Sequence, residues 1–86
     1  MMSCYTLKIS SPVQTLTIDE VEKTIVRSIA GDIGILAGHI PYASAVKAGK
    51  VRCTLSGGEQ RDIEISDGII KVKDNLVTIL TQTISE

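Results

Sequence analysis

The sequence has no Phe, no Trp and a single His, and its 86 residues include only two Tyr, two Cys and two Pro. Nine basic and ten acidic side chains give a net charge of −1, and the basic ones are scattered along the chain. This distribution argues against nucleic acid as a partner, because nothing here would neutralise a row of phosphates. No apolar run approaches 18 residues and no export-signal pattern is seen, so the sequence predicts neither a membrane span nor an export signal.

The two cysteines and the histidine are too sparse to build a metal or catalytic centre. Cys4 and Cys53 belong to no metal-binding spacing and are expected to be free thiols, with a disulfide between them as the alternative. His39 has neither a second His nor a Cys pair to complete a metal shell. Its nearest carboxylate, Asp32, is seven residues away and no serine lies on a nucleophile elbow, so we expect His39 to order its loop or contact a partner.

The residues that are abundant favour strands. Ile, Val and Thr make up 28 of the 86 residues, and β-branched side chains suit a pleated surface better than a helix. Apolar and polar residues alternate over 5–10, 51–55 and 62–66, and turn signals such as Ser56-Gly57-Gly58 separate these segments. The sequence predicts one all-β domain over 1–86, a small two-sheet β-sandwich of about eight to ten short, mostly antiparallel strands. Only 19–29 allows a helix as an alternative.

One run, from Gly31 to Pro41, combines three glycines, an acid, the histidine and a proline. We expect a loop, then a short buried strand over Ile33–Leu36, then a second turn that presents His39. The residues expected to shape these turns are Gly31, Gly34, Gly38 and Pro41. The glycine spacing lacks the following Lys-Ser/Thr of a phosphate cradle, so no cofactor is expected here.

Four motifs follow one another along the chain: Gly31-Asp32-Ile33-Gly34-Ile35-Leu36-x-Gly38-His39-x-Pro41, Gly49-x-Val51, Gly68-Ile69-Ile70-x-Val72 and Asn75-x-Val77-Thr78-Ile79-Leu80. In this order and spacing they resemble the N-terminal β-sandwich domain of the epsilon subunit of the F-type rotary ATP synthase. The resemblance covers nearly the whole chain. It differs from the family's usual pattern at Ala37, where a proline is common, and at Asp67, where a glycine is common.

The resemblance implies a mechanical role rather than a catalytic one. In that family the domain clamps the foot of the gamma subunit to the ring of c subunits, rotates with them and couples proton or sodium flow to ATP synthesis. It implies a peripheral position on the cytoplasmic face of the energy-transducing membrane. The family usually continues into an inhibitory C-terminal helical hairpin; since the sequence stops at Glu86, the expectation is a domain without that element.

The resemblance also assigns residues to the two partners. Asp32 and His39 are expected to contact the c ring, because Asp32 lies at the family's acidic position between two glycines. Leu16, His39, Tyr42 and Ala43 are expected to contact gamma: Leu16 breaks the alternation around it, and a tyrosine suits a partly wet interface. Leu16 and Tyr42 are equally consistent with core positions.

Two other classes of protein remain open from the sequence. One is an unrelated β-sandwich that serves as an interaction module, which failure to bind gamma would favour. The other is a small enzyme that uses His39 and Asp32, which a pH profile of activity against candidate substrates would identify.

Overall fold

The structure is a computed structural model that describes residues 4–38 and 41–86. All regular elements in these ranges are strands, and no helix is present among them. There are nine strands in the described residues: β1 (Tyr5–Ser10), β2 (Thr15–Ser28), β3 (Gly31–Leu36), β4 (Tyr42–Val46), β5 (Gly49–Leu55), β6 (Gln60–Ile65), β7 (Gly68–Lys73), β8 (Leu76–Thr81) and β9 (Ile84–Ser85).

The strands form one continuous hydrogen-bonded sheet that folds over into two layers. The first layer has the order β4-β7-β8-β1 and ends on the first half of β2. The second layer has the order β3, second half of β2, β5, β6 and β9. Every pairing is antiparallel except that of β1 with β8. The predicted all-β sandwich of mostly antiparallel strands is confirmed.

Strand β2 serves both layers because it bends at Glu20. The φ of Glu20 is +57°, and the register of β2 shifts in its pairings with both β1 and β5. These are the marks of two successive β-bulges, one at Glu20 against β1 and one between Val21 and Lys23 against β5, and each adds a residue and bends the strand. The buried positions Ile18, Val21 and Thr24 are therefore three residues apart, a spacing that imitates a helix. The helical alternative for 19–29 is wrong, and β2 is one strand of 14 residues.

The core between the layers is almost entirely aliphatic. It comprises Tyr5, Leu7, Ile9, Ile18, Val21, Val26, Ile35, Val46, Val51, Cys53, Ile63, Ile65, Ile70, Val72, Val77 and Ile79. Both cysteines are free, as expected, and burial raises the pKa of the Cys53 thiol. Inward and outward side chains alternate along most strands, so the same alternation that predicted the strands also assigns their faces.

Candidate functional site

The β2–β3 hairpin carries the acidic residue singled out in the sequence. Asp32 lies directly opposite Arg27 in the register of the two strands, and the Asp32 carboxylate is 3.8 Å from Arg27 Nε. Both side chains are about two-thirds exposed, with values of 63% for Arg27 and 68% for Asp32. An exposed pair of this kind contributes only about 0–1 kcal/mol, because water and salt screen it. The carboxylate therefore remains accessible to a partner, but a partner must compete with Arg27 for it.

The turn of this hairpin is held by Ser28, which the sequence reasoning missed. The Ser28 hydroxyl donates to the carbonyl of Gly31 at 2.7 Å and accepts from the backbone N–H of Ala30 at 3.1 Å. Gly31 has a φ of +115°, which a side chain would resist. The turn leaves Ile29 at its tip with 68% of its surface exposed. A buried serine inside a strand has no periodic signature, so only the folded geometry identifies its role.

The three glycines and the proline of the central run lie in different kinds of structure, some in strand β3 and some in turns or loops. Gly31 starts β3 rather than a loop, so the predicted loop at this point is a turn two residues earlier, at 29–30. Gly34 is a strand residue opposite Ile25, with extended backbone and open space around it, and it shapes no turn. Gly38 has a φ of +80° in the turn after β3, and Pro41 is exposed just before β4. His39 lies outside the described residues.

The residues expected to contact gamma do not share one face. Leu16 and Tyr42 are half-buried and pack against the core. Ala43, the next residue along β4, is exposed on the outer face of the first layer. Among the described members of this set, Ala43 alone is fully surface-exposed.

The outer face around Ala43 carries several exposed apolar side chains of the described chain. Ala45 pairs with Ile69, and Ile69 pairs with Leu80, so three apolar side chains form a row across β4, β7 and β8. Ile69 and Leu80 are 51% and 47% exposed. We call this surface the lysine-rimmed face. Its apolar row of Ala45, Ile69 and Leu80 is bordered by a row of Ala43, Lys71, Thr78 and Lys8, beyond which lie Lys73 and Leu76.

This face could have been found in the sequence. Ile69-Ile70 and Ile79-Leu80 are adjacent apolar pairs within strands, and successive residues of a strand point to opposite faces. One member of each pair must therefore point outward. Exposed apolar patches rimmed by polar residues mark interaction surfaces.

The other outer face, on the second layer, is charged and internally balanced. A depression of about 290 Å³ there is lined by Ile25, Val26, Arg27, Asp32, Lys50 and Arg52. Arg52 Nε is 3.5 Å from the Asp62 carboxylate, and Lys50 lies opposite Glu64 in the register of β5 and β6. Each cation thus has an acidic neighbour, which makes the depression a ladder of ion pairs rather than an anion site.

Asp32 and the Gly38 turn lie at opposite ends of the sandwich. Strand β3 begins beside Ser28, whose partner Val46 ends β4, whereas Gly38 donates to the Asn75 side chain at the β7–β8 turn. At about 3.3 Å per residue, Asp32 and Leu36 alone are separated by roughly 13 Å. The described residues contain no group of three or more His, Cys, Asp or Glu that could bind a metal. None of their elements is a helix long and apolar enough to cross a membrane.

The fold and these surfaces define a small β-sandwich with hydrogen-bonded turns at the two ends of β3 and an exposed apolar row on one outer face. The chain matches the family described as "ATP synthase, Delta/Epsilon chain, beta-sandwich domain" over residues 4–86, and it belongs to that family. This confirms the resemblance found in the sequence.

Relatives of known identity agree with this assignment. The chain is 40% identical over 83 residues to the ATP synthase epsilon chain of Alkaliphilus oremlandii and 37% identical over 83 residues to that of Caldicellulosiruptor saccharolyticus. These matches cover 96% of this chain but only 61% and 60% of the relatives. The chain therefore spans about three fifths of the length of these relatives.

Solved structures show the same fold. A chain in the Euglena gracilis mitochondrial ATP synthase (OSCP/F1/c-ring) superposes with a TM-score of 0.88 at 25% identity, covering 95% of this chain and 52% of that one. A chain from the central stalk and c ring of the Tetrahymena thermophila enzyme superposes with a TM-score of 0.81 at 11% identity, covering 95% and 66%. The second likeness concerns the fold alone.

Proposed function

We propose that this domain is a rotor component of a rotary ATP synthase, which joins the gamma subunit to the c ring and performs no chemistry itself. It would turn with both partners on the cytoplasmic face of the energy-transducing membrane, without a cofactor. The observation that carries the proposal is the lysine-rimmed face, an exposed apolar surface on a domain of the epsilon family.

The lysine-rimmed face is the surface we assign to gamma. A shaft must be gripped through buried apolar area, since the net charge of −1 provides little electrostatic attraction. Ala43 lies on this face and is the expected contact that the geometry supports best. Leu16 and Tyr42 pack against the core and support this face from the interior. His39 remains a proposed contact to both partners.

The tip of the β2–β3 hairpin is the surface we assign to the c ring. It presents Asp32 beside the exposed Ile29 on a turn that Ser28 keeps rigid. Gly31 and Gly38 shape the turns at the two ends of β3 through their positive φ values, and Pro41 restricts the backbone that enters β4. The two contact surfaces are thus held by different elements.

Binding of gamma to variants of the lysine-rimmed face tests the proposal. Ile69→Ser with Leu80→Ser should weaken gamma binding by at least about 2 kcal/mol while each change alters stability by no more than about 0.5 kcal/mol, because both side chains are half exposed. Val13→Ser is the matched control, since Val13 is 91% exposed in the β1–β2 turn and is not a member of this face. Unchanged gamma affinity in the double variant would show that gamma is held elsewhere or not at all.

A further inference from the structure

The end of strand β3 is fixed to the rest of the sandwich at two backbone points. The carbonyl of Ile35 accepts a hydrogen bond from the Tyr5 hydroxyl at 3.0 Å. Three residues later, the backbone N–H of Gly38 donates to Asn75 Oδ1 at 3.2 Å. The partners of these two backbone groups come from other elements: Tyr5 starts β1, and Asn75 lies in the β7–β8 turn.

The hydrogen bonds around the Tyr5 hydroxyl show which group donates and which accepts. The Tyr5 oxygen is also 2.5 Å from Thr24 Oγ1, and the phenol has only one proton to give. Since the Ile35 carbonyl accepts that proton, the Thr24 hydroxyl donates to Tyr5. Thr24 is fully buried and Ile35 and Tyr5 nearly so, so loss of the phenol oxygen would remove one hydrogen-bond partner from the buried Ile35 carbonyl and one from the buried Thr24 hydroxyl. In the described residues no buried side-chain N or O atom lacks a partner.

The two contacts are joined through β1. Thr6, the neighbour of Tyr5, donates its backbone N–H to the carbonyl of Asn75 at 3.2 Å. Asn75 has a φ of +58°, the left-handed conformation that asparagine adopts in tight turns. Tyr5, Asn75 and the segment from Ile35 to Gly38 therefore form one closed set of contacts at a single corner of the sandwich.

We propose that Tyr5 and Asn75 are positioning residues. Together they set the direction of the backbone from the end of β3 to Gly38. This inference rests on the proposed function, in which His39, the residue that follows Gly38 in the sequence, is a proposed contact to gamma. Neither residue needs to touch the partner. Each residue hydrogen-bonds the backbone between Ile35 and Gly38. Its effect on binding is therefore indirect, because it changes the conformation of that segment.

Matched pairs of variants of the 86-residue chain separate this role from general stabilisation. Asn75→Gly keeps the positive φ and removes the side-chain acceptor, whereas Asn75→Asp keeps an acceptor oxygen. Thr24→Val keeps the shape and removes the donor, whereas Thr24→Ser keeps the hydroxyl. Tyr5→Phe removes the phenol oxygen alone.

Two readouts are measured on each variant: amide exchange at Gly38, with Ile70 and Ile79 as core references, and affinity for purified gamma. Asn75→Gly and Tyr5→Phe should speed exchange at Gly38 by about tenfold relative to the two references, and should weaken gamma binding about fivefold or more. Asn75→Asp and Thr24→Ser should stay within about twofold of the parent in both readouts, while Thr24→Val should resemble Tyr5→Phe.

The outcomes that overturn the inference are distinct from those that overturn the proposed function. Equal acceleration at Gly38, Ile70 and Ile79 would show that these residues only stabilise the fold. Faster exchange at Gly38 with unchanged gamma affinity would show that the anchored turn does not serve binding. If the parent chain itself binds no gamma, the proposed function fails, and the positioning role fails with it.

Discussion

Arg27 and Asp32 face each other across the β2–β3 hairpin, one residue on either side of a turn held by a buried serine. The acid expected to contact the c ring is therefore already paired within its own domain. A partner loop that approaches Asp32 also meets Arg27 and the apolar tip at Ile29. The proposed contact surface is therefore mixed: the ion pair sets its local charge pattern, and the exposed Ile29 offers apolar area to bury.

Asp32→Ala should lower the free energy of unfolding by less than about 1 kcal/mol, because the lost pair is exposed. It should weaken assembly with the c ring without abolishing it. Asp62→Ala is the control, since it breaks the Arg52 pair on the same outer face but away from the hairpin tip. In the assembled enzyme, Asp32→Cys should cross-link to cysteines placed in the ring loops, and failure to do so would remove Asp32 from this interface.

Leu16→Ala should lower the free energy of unfolding by about 1–3 kcal/mol, less than a fully buried leucine would, because Leu16 is half-buried against the core.

Ala43→Arg should change stability by less than about 0.5 kcal/mol and weaken gamma binding, because Ala43 is exposed on the lysine-rimmed face. Thermal melts and gamma titrations run in parallel separate the two roles. A stable Leu16→Ala domain that binds gamma poorly would instead make Leu16 a direct contact.

Gly68→Ala should be severely destabilising, by about 3 kcal/mol or more. A Cβ at Gly68 would lie 2.0 Å from the backbone carbonyl oxygen of Leu80, which cannot move without breaking the β7–β8 pairing. Gly34→Ala is the matched control: Gly34 has extended backbone and no atom within 4 Å of a built Cβ. Denaturant unfolding should find that variant unchanged or stabler by about 0.4–1 kcal/mol. A large loss there would restore a conformational role to Gly34.

Stability should fall between pH 10 and pH 12 through Tyr5. Burial raises the pKa of Tyr5 to about 12, against an ordinary value of 10.0, with the Thr24 hydrogen bond acting in the opposite direction. In this window the unfolded chain releases a phenolic proton that the folded chain retains, so unfolding becomes easier as the pH rises. The stabilisation is complete below pH 10, and its loss is on the order of 2 kcal/mol.

Urea unfolding of the parent and of Tyr5→Phe across this pH range isolates the effect. The phenylalanine variant starts with lower stability and should lose less as the pH rises, because other groups titrate equally in both proteins. Parallel curves for the two proteins would show that Tyr5 ionises in the folded state as easily as in the unfolded one.

Much of the fold follows from alternation of apolar and polar residues. Strands such as β1, β5 and β7 were predictable because each buries every second residue, and the Gly57-Gly58 turn between β5 and β6 was predictable from glycine chemistry. Strand β2 was not, because the bulge at Glu20 and the register shift between Val21 and Lys23 change the phase of its pattern, and a single sequence does not reveal where extra residues are inserted.

The site was less predictable than the fold, because its geometry depends on contacts between distant residues. Asp32 was identified as a surface residue, but its pairing with Arg27 needed the register of the hairpin. Gly34 was misjudged as a turn residue, since glycine in a strand has the same sequence signal as glycine in a loop. The anchoring of Gly38 by Asn75 spans 37 residues, which no local pattern encodes.

Strand β2 gives the domain an unusual way of bearing load. Two separate sheets packed face to face would resist sliding only through the fit of their side chains, which are held by weak, individually small contacts. Here a single uninterrupted peptide chain passes from one layer into the other at Glu20, with hydrogen-bonded neighbours on both sides of the bend. A shearing force between the layers therefore stretches covalent bonds as well as parting packed surfaces. We expect the two layers to move together under a shearing load rather than to slide past one another.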